Sequence, residues 1–268
     1  MELMTVTPEL AAEWLGHNTH NRSLGNATVL SYSRQMKDGL WLLNGDSVRF
    51  SDQGVLLDGQ HRLAAVIHSG ASITMWVGRG FPLEVQATID TQRKRTAGDA
   101  LGLEGYANGN QLAAVVRMVH RWDQGERSMF GFGGSKDHLS TIEVLKVLEK
   151  DADPYEQSVK HSHMRIAPGR ILSTLYVLSS RVDHTLAEIF LERFYDGASL
   201  SRGNPILTFR GYAERLSAPQ GKAPAPGIYL NAGVRAWNAW IQDRSLLTIG
   251  YKGSTIPEIE TRIKKESL

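Results

Sequence analysis

The spacing of apolar and polar residues over the first hundred positions alternates between strand and helix patterns. Val48 and Phe50 alternate with polar neighbours, a period of two that predicts a half-buried strand. Thr7 followed by Pro8 is typical of a helix start, and Asn26 is predicted to cap a second helix. The predicted strands are 1–7, 48–51, 55–57 and 73–77, and the predicted helices are 9–15, 26–37 and 82–89.

From about residue 98 onward the pattern changes to that of helices. Leu112 and Val116 belong to an apolar face that recurs at helical spacing between residues 110 and 122. Further helices are predicted at 168–181, 185–196, 205–217 and 228–243. The whole pattern predicts an α+β fold, with a mixed domain over residues 1–100 followed by an all-helical domain over residues 101–268.

The most informative segment is the polar turn from Asp58 to Arg62, which joins the strand at 55–57 to an apolar helix. The first N–H groups of a helix have no partner within it, and the positive end of the helix dipole favours a phosphate or carboxylate there. Gly59 would let a ligand approach the backbone, while Gln60, His61 and Arg62 would add donors. Alternatively, this is an ordinary turn in which Asp58 only caps the helix and Arg62 is solvated.

The composition is that of an ordinary globular protein and excludes several classes of site. Of the 268 residues, 41% are hydrophobic and 22% are charged, and none is cysteine, which excludes disulfides and thiolate zinc sites. No apolar run approaches the roughly 18 residues of a membrane span, and the first eight residues lack a signal-peptide pattern. We therefore expect a cytoplasmic protein without a membrane partner.

The charge distribution neither indicates nor excludes binding to nucleic acid. The net charge is +2, with a balance of −2 over residues 1–105 and +4 over residues 106–268. The isoelectric point of about 8.8 lies below the range of about 9 and above that is typical of nucleic-acid-binding domains. If DNA is a partner, we expect it to contact the C-terminal half, because local patches matter more than totals.

The segment Leu-Leu-Asp-Gly-Gln-His-Arg-Leu-Ala-Ala at 56–65 resembles the signature of the ParB/sulfiredoxin superfamily, in its DGQHR-bearing branch. Members include CTP-hydrolysing partition proteins, sulfiredoxin and free-serine kinases. The resemblance is specific at residues 55–67 and looser over residues 3–100, and the rest is only vaguely similar to ParB-domain proteins of phages and mobile elements. It implies a ParB/sulfiredoxin-like N-terminal domain. Sulfiredoxins carry a catalytic cysteine in the matching turn, where this chain has Gln60, so sulfinic-acid reduction is excluded.

The resemblance implies that Gly59, Gln60, His61 and Arg62 bind nucleotide phosphates. Superfamily members also place an arginine after their first helix, and Arg22 matches that position, although a residue other than the usual proline precedes it. A solvated loop is the alternative interpretation for Arg22.

A basic run precedes the helix predicted after residue 96. Its arginines, Arg93 and Arg95, could close over phosphates or contact DNA, and a solvated junction is the equally open alternative.

Asp58 and His61 are the candidate catalytic residues. A phosphoryl-transfer or hydrolysis site needs a carboxylate that orients the nucleophile, and Asp58 lies on the phosphate turn. Asp58 is also the candidate ligand for a Mg²⁺ ion that bridges bound phosphates. His61 could donate to phosphate or act as a general acid or base.

These inferences leave three hypotheses for the function. The first is a nucleotide-binding ParB-like protein that couples the binding or hydrolysis of CTP or ATP, with Mg²⁺, to DNA binding. The second is an ATP- or ADP-dependent kinase acting on a small molecule or a DNA base. The third is a non-catalytic interaction module that binds no nucleotide. A homo-oligomer is compatible with all three.

Overall fold

The computed structural model describes residues 1–19, 21, 23–89, 96–132, 139–163, 166–217, 224–250 and 253–261. The chain divides into two compact units. The first comprises Met1–Arg95 with Lys136–Ile142, and the second comprises Thr96–Ser135 with Glu143–Leu268. Mixed secondary structure in the first unit and helices in the second agree with the α+β class expected from the sequence.

The first unit contains a small mixed sheet. Its strands are β1 (Glu2–Val6), β2 (Ser47–Ser51), β3 (Leu56–Asp58) and β4 (Ile73–Phe81). They are ordered β1-β4-β2-β3, with β2 and β4 parallel and the other two pairs antiparallel. Its helices are α1 (Pro8–Leu15), α2 (Asn26–Lys37) and α3 (Gln60–Ser69), with a 3₁₀ helix at Leu83–Thr88.

The core of the first unit joins the sheet to its helices. The Trp14 ring of α1 meets the Phe50 ring of β2 edge-on, with a centroid separation of 5.3 Å. Leu63 and Val66 of α3 are fully buried in the same cluster. The apolar positions that predicted these elements therefore face one core, which fixes where the turn between β3 and α3 emerges.

Two helix starts differ in their agreement with the sequence prediction. At α1, Thr7 Oγ1 accepts a hydrogen bond from the Leu10 N–H at 3.3 Å, as expected for a cap. At α2, the cap is Gly25, and the predicted cap Asn26 is already the first helical residue. The start of α2 therefore has no side-chain cap. The predicted helix at 82–89 is a 3₁₀ helix.

The regular secondary structure described in the second unit is helical, with one isolated β-bridge between Ser128 and Thr255, and residues 242–250 and 253–261 lie outside the helices. Phe190 and Trp237 pack with a centroid separation of 5.6 Å in its core. The helices are α4 (Ala97–Leu103), α5 (Gly109–Asp123), α6 (Thr141–Lys150), α7 (Asp153–Ser158), α8 (Gly169–Ser180), α9 (His184–Asp196), α10 (Pro205–Ser217) and α11 (Pro226–Ile241), with a 3₁₀ helix at Val159–His163. Among the described residues, no helix is long and apolar enough to cross a membrane.

Candidate functional site

The turn between β3 and α3 depends on Gly59. This residue has φ = +103°, in the left-handed region that favours glycine. A Cβ atom at this position would lie 2.9 Å from Val48 Cγ2 and 3.1 Å from Val48 Cα. Glycine is therefore needed because strand β2 passes close to the turn, whereas the sequence suggested close approach of a ligand.

Gly59→Ala is expected to lower the free energy of unfolding by about 2 kcal/mol, because it adds left-handed strain and a contact with Val48. Gly70, at the other end of α3, provides the matched control. It also has positive φ (+69°), but a Cβ there would meet nothing within 4 Å. Gly70→Ala should therefore lower the free energy of unfolding only by the left-handed strain, about 1 kcal/mol. Urea unfolding of both variants measures the difference, and equal losses would contradict the contact with β2.

Asp58 and Arg62 form an ion pair across the turn. The Asp58 carboxylate accepts from the Gly59 N–H at 2.6 Å through Oδ1, and from Arg62 Nη2 at 2.9 Å through Oδ2. Arg62 Nη2 also donates to the Ser47 carbonyl at 2.7 Å, at the start of β2. The side chains are 18% and 12% exposed, respectively. The pair therefore fastens the turn to the sheet.

The same ion pair bears on two roles expected from the sequence. Arg62 was expected to bind phosphate, yet its Nη2 is turned toward Asp58 and Ser47, and Nη1 lies 3.6 Å from Asp46 Oδ2. Asp58 was expected to hold Mg²⁺, and each of its oxygens accepts a hydrogen bond here while keeping a second lone pair. Among the described residues, no group of three or more histidine, aspartate or glutamate side chains is arranged to hold a metal.

Gln60 and His61 link the start of α3 to the chain before α2. Gln60 is buried, and its Oε1 accepts from Asn18 Nδ2 at 3.0 Å. His61 Nε2 accepts from the Gly25 N–H at 3.0 Å. An imidazole nitrogen that accepts a hydrogen bond carries no proton, so this bond favours the neutral ring with its proton on Nδ1.

The bond between His61 and Gly25 brings two helix N-termini together. The helices α2 and α3 begin one residue after Gly25 and Gly59, and neither has a side-chain cap among the described residues. Each helix start carries a partial positive charge of about half a proton charge. The two partial charges therefore lie on the same side of the His61 imidazole, and the sequence predicted both helices without indicating that their starts meet.

Three residues that the sequence analysis did not select hold the loop before α2. Asn21 Nδ2 donates to the Leu56 carbonyl at 2.7 Å and to Asn18 Oδ1 at 2.6 Å. Asn21 Oδ1 accepts from Gln86 Nε2 at 3.0 Å. The Asn21 amide therefore fixes the loop before α2 by hydrogen bonds to three other residues. Arg22, Arg93 and Arg95 lie outside the described residues.

A second polar cluster lies inside the helical unit. His161 is 3% exposed, and its ring lies 4.8 Å from that of Tyr176. Its Nε2 is 3.7 Å from Glu188 Oε2, while Glu188 Oε1 lies 2.7 Å from Lys160 Nζ. Burial lowers the pKa of His161 to about 4, against the opposite influence of the Glu188 carboxylate. Burial and the same carboxylate raise the pKa of Tyr176.

Comparison with known proteins adds no further constraint. No protein-family model, curated protein or solved structure matches the chain.

Proposed function

We propose that the N-terminal unit is a ParB/sulfiredoxin-like domain that binds a nucleoside triphosphate, CTP or ATP with Mg²⁺, at the turn from Asp58 to Arg62. The observation that carries this proposal is the hydrogen bond from the Gly25 N–H to His61 Nε2. Because this bond joins the starts of α2 and α3, two partial positive charges lie close enough to act on one polyphosphate.

The residues of the turn divide into two groups under this proposal. Asp58 and Arg62 hold the turn through their ion pair, with the Gly59 N–H bound to Asp58, while the backbone at Gln60 and His61 contacts the phosphates. Asp58 stays the candidate Mg²⁺ ligand, because an oxygen that accepts one hydrogen bond keeps a second lone pair for a cation. The ion enters with the nucleotide and would also be held by phosphate oxygens.

Coupling to DNA is the second part of the proposal. The net charge of +4 over residues 106–268 supports contact between DNA and the C-terminal half. The engagement of Asp58 with Arg62 favours binding and coupling over phosphoryl transfer, since a base must be available to the acceptor hydroxyl. If nucleotide and DNA are coupled, each must change the affinity of the other by the same factor.

His61→Asp separates nucleotide binding from folding. Aspartate in the first turn of α3 suits the helix dipole, which offsets the lost acceptor of the Gly25 N–H, so the variant should remain folded. Its negative charge opposes phosphate at the same position, and we expect nucleotide affinity to fall at least about tenfold. Thermal unfolding with CTP, ATP, GTP and UTP, each with and without Mg²⁺, identifies the ligand. At one hundred times Kd, stabilisation should reach about 2.7 kcal/mol.

His68→Asp is the matched control, because it makes the same substitution in the last turn of α3. It should keep nucleotide affinity within about twofold, since charge effects at a helix end fall off within one turn. Equal loss in both variants would refute the site. If no nucleotide stabilises the native chain, the proposal is refuted and the non-catalytic interaction module remains.

Two further measurements separate the remaining hypotheses. Transfer of phosphate from the nucleotide to a small acceptor would favour the kinase. Titration of duplex DNA into the protein, with and without the nucleotide, tests whether the two ligands are coupled.

A further inference from the structure

Residues 253–261, which we call the acidic segment, run in extended form along the helical unit. The segment pairs with the chain after α5, where the Met129 N–H donates to the Ser254 carbonyl at 2.8 Å. The Ile256 N–H donates to the Arg127 carbonyl at 2.6 Å. Two backbone hydrogen bonds around one antiparallel bridge, between Ser128 and Thr255, therefore hold the acidic segment here, a short version of the strand addition by which many proteins bind an extended peptide.

Helix α11 contacts the backbone of the acidic segment further along. Asn238 Nδ2 donates to the Glu258 carbonyl at 2.7 Å, and Asn238 Oδ1 accepts from the Glu260 N–H at 2.9 Å. Trp237 Nε1 and Gln242 Nε2 donate to the carbonyls of Glu260 and Thr261. A side-chain amide that both donates to and accepts from one extended backbone takes the place of a neighbouring strand.

Side chains of the acidic segment are also recognised. Arg127 binds Glu258 through two bonds, from Nε at 3.0 Å and from Nη2 at 2.8 Å. Arg244 Nη2 donates to Glu260 Oε2 at 2.7 Å. Ile256 is buried, and these three segment residues are two apart, on the same side of an extended chain. The surface therefore selects an aliphatic residue followed by acids two and four positions later.

Arg127 is also held by contacts outside the acidic segment. Its guanidinium lies over the Trp122 ring, 3.7 Å from the centroid, and Nη1 donates to the Trp122 carbonyl at 2.5 Å. An arginine fork that is already oriented loses less freedom when it binds a carboxylate. Arg127 is thus built as a receptor for an acidic side chain.

The acidic segment itself is weakly buried. Ile256 is its single buried residue, and the side chains of Glu258 and Glu260 are 72% and 44% exposed. Exposed ion pairs contribute little to stability, and segments with few buried apolar contacts open at a low free-energy cost. The cost of opening the segment is therefore set by the burial of Ile256 and by the hydrogen bonds to Trp237 and Asn238 of α11.

We propose that the surface formed by Arg127, Trp237, Asn238, Gln242 and Arg244 is a docking site for an extended acidic segment of another protein. Its occupant carries an aliphatic residue followed two and four positions later by glutamate. The chain's own acidic segment is a built-in competitor that covers this surface until the partner displaces it. The proposal is independent of the nucleotide site.

A labelled peptide with the sequence of residues 253–261 tests the proposal on the full chain. Ile256→Ser combined with Glu258→Ala and Glu260→Ala weakens the internal competitor. The peptide should bind this variant at least about tenfold more tightly than the native chain, because the surface is open in a larger fraction of molecules. Adding Asn238→Ala should remove at least about tenfold of that gain. A folded variant that binds the peptide no better than the native chain would overturn the proposal.

Hydrogen exchange on the native chain keeps the proposal testable if the triple variant does not fold. Amides of the acidic segment should exchange at least about a hundredfold faster than those at the centre of α11. If the segment and the centre of α11 are equally protected, the segment opens only when the helical unit unfolds, which overturns the proposal. Sedimentation of the native chain shows whether the partner is a different protein or a second copy of the chain. A monomeric native chain supports a different protein, whereas a dimer dispersed by the free peptide overturns that assignment in favour of a second copy.

Discussion

Asp58→Ala is expected to lower the free energy of unfolding of the N-terminal unit by about 3 kcal/mol, the cost of removing one partner of a largely buried ion pair. Arg62 would remain 12% exposed, with Asp46 as its nearest acid at 3.6 Å. The Gly59 N–H would also lose its acceptor. Urea unfolding without nucleotide measures the effect. If Asp58 served only to bind a metal ion, its removal would not lower the free energy of unfolding. An unchanged free energy of unfolding would therefore contradict its structural role.

The double variant Asp58→Ala with Arg62→Ala is the control for this interpretation. Arg62→Ala alone leaves Asp58 its bond from the Gly59 N–H, with Arg49 Nη1 at 4.0 Å. Because the second substitution removes the unpaired charge created by the first, the two losses should not add. We expect the double variant to fall short of their sum by about 1 kcal/mol or more. Additive losses would show that the two side chains act independently.

The strand, turn and helix around residues 55–70 were predictable because their signals are local. An apolar run ends at Asp58, a glycine follows, and apolar residues then recur at helical spacing, as the structure has them. The predicted helix at 205–217 matches α10, whose first residue is the proline that suits a helix start. Where the local preferences of the chain agree with its fold, the pattern of apolar and polar residues is enough to predict an element.

The geometry of the candidate site was not predictable, because its bonds join residues distant in sequence. The hydrogen bond between Asn21 and Leu56 spans 35 positions, and that between Gln86 and Asn21 spans 65. No periodic pattern encodes such a pair. The bond from Gly25 to His61 is equally invisible, so the sequence predicted both helices without indicating that their starts meet. Only Asp58 and Arg62, four apart at a helix start, offered a local hint of pairing.

Stability should fall steeply on acidification because of His161 in the helical unit. The pKa of this group is about 4 in the folded protein, below its ordinary value of 6.5. Since the unfolded chain binds the extra proton first, stability is lost as the pH falls from 6.5 toward 4. The shift of 2.5 corresponds to about 3 kcal/mol. The groups that face the ring are Glu188, Lys160 and Tyr176, and the pKa of Glu188 is lowered, despite burial, by Lys160 and Tyr176.

His161→Gln and His163→Gln form the matched pair that isolates this effect. His163 is exposed and lies two residues away on the same 3₁₀ helix. Urea unfolding at pH 7, 5.5 and 4.5 should show a shallower pH dependence in His161→Gln than in the native chain. His163→Gln should follow the native curve, because the His163 side chain is exposed and makes no buried contact that the substitution would change. Parallel curves for all three proteins would show that His161 takes up its proton without unfolding the unit.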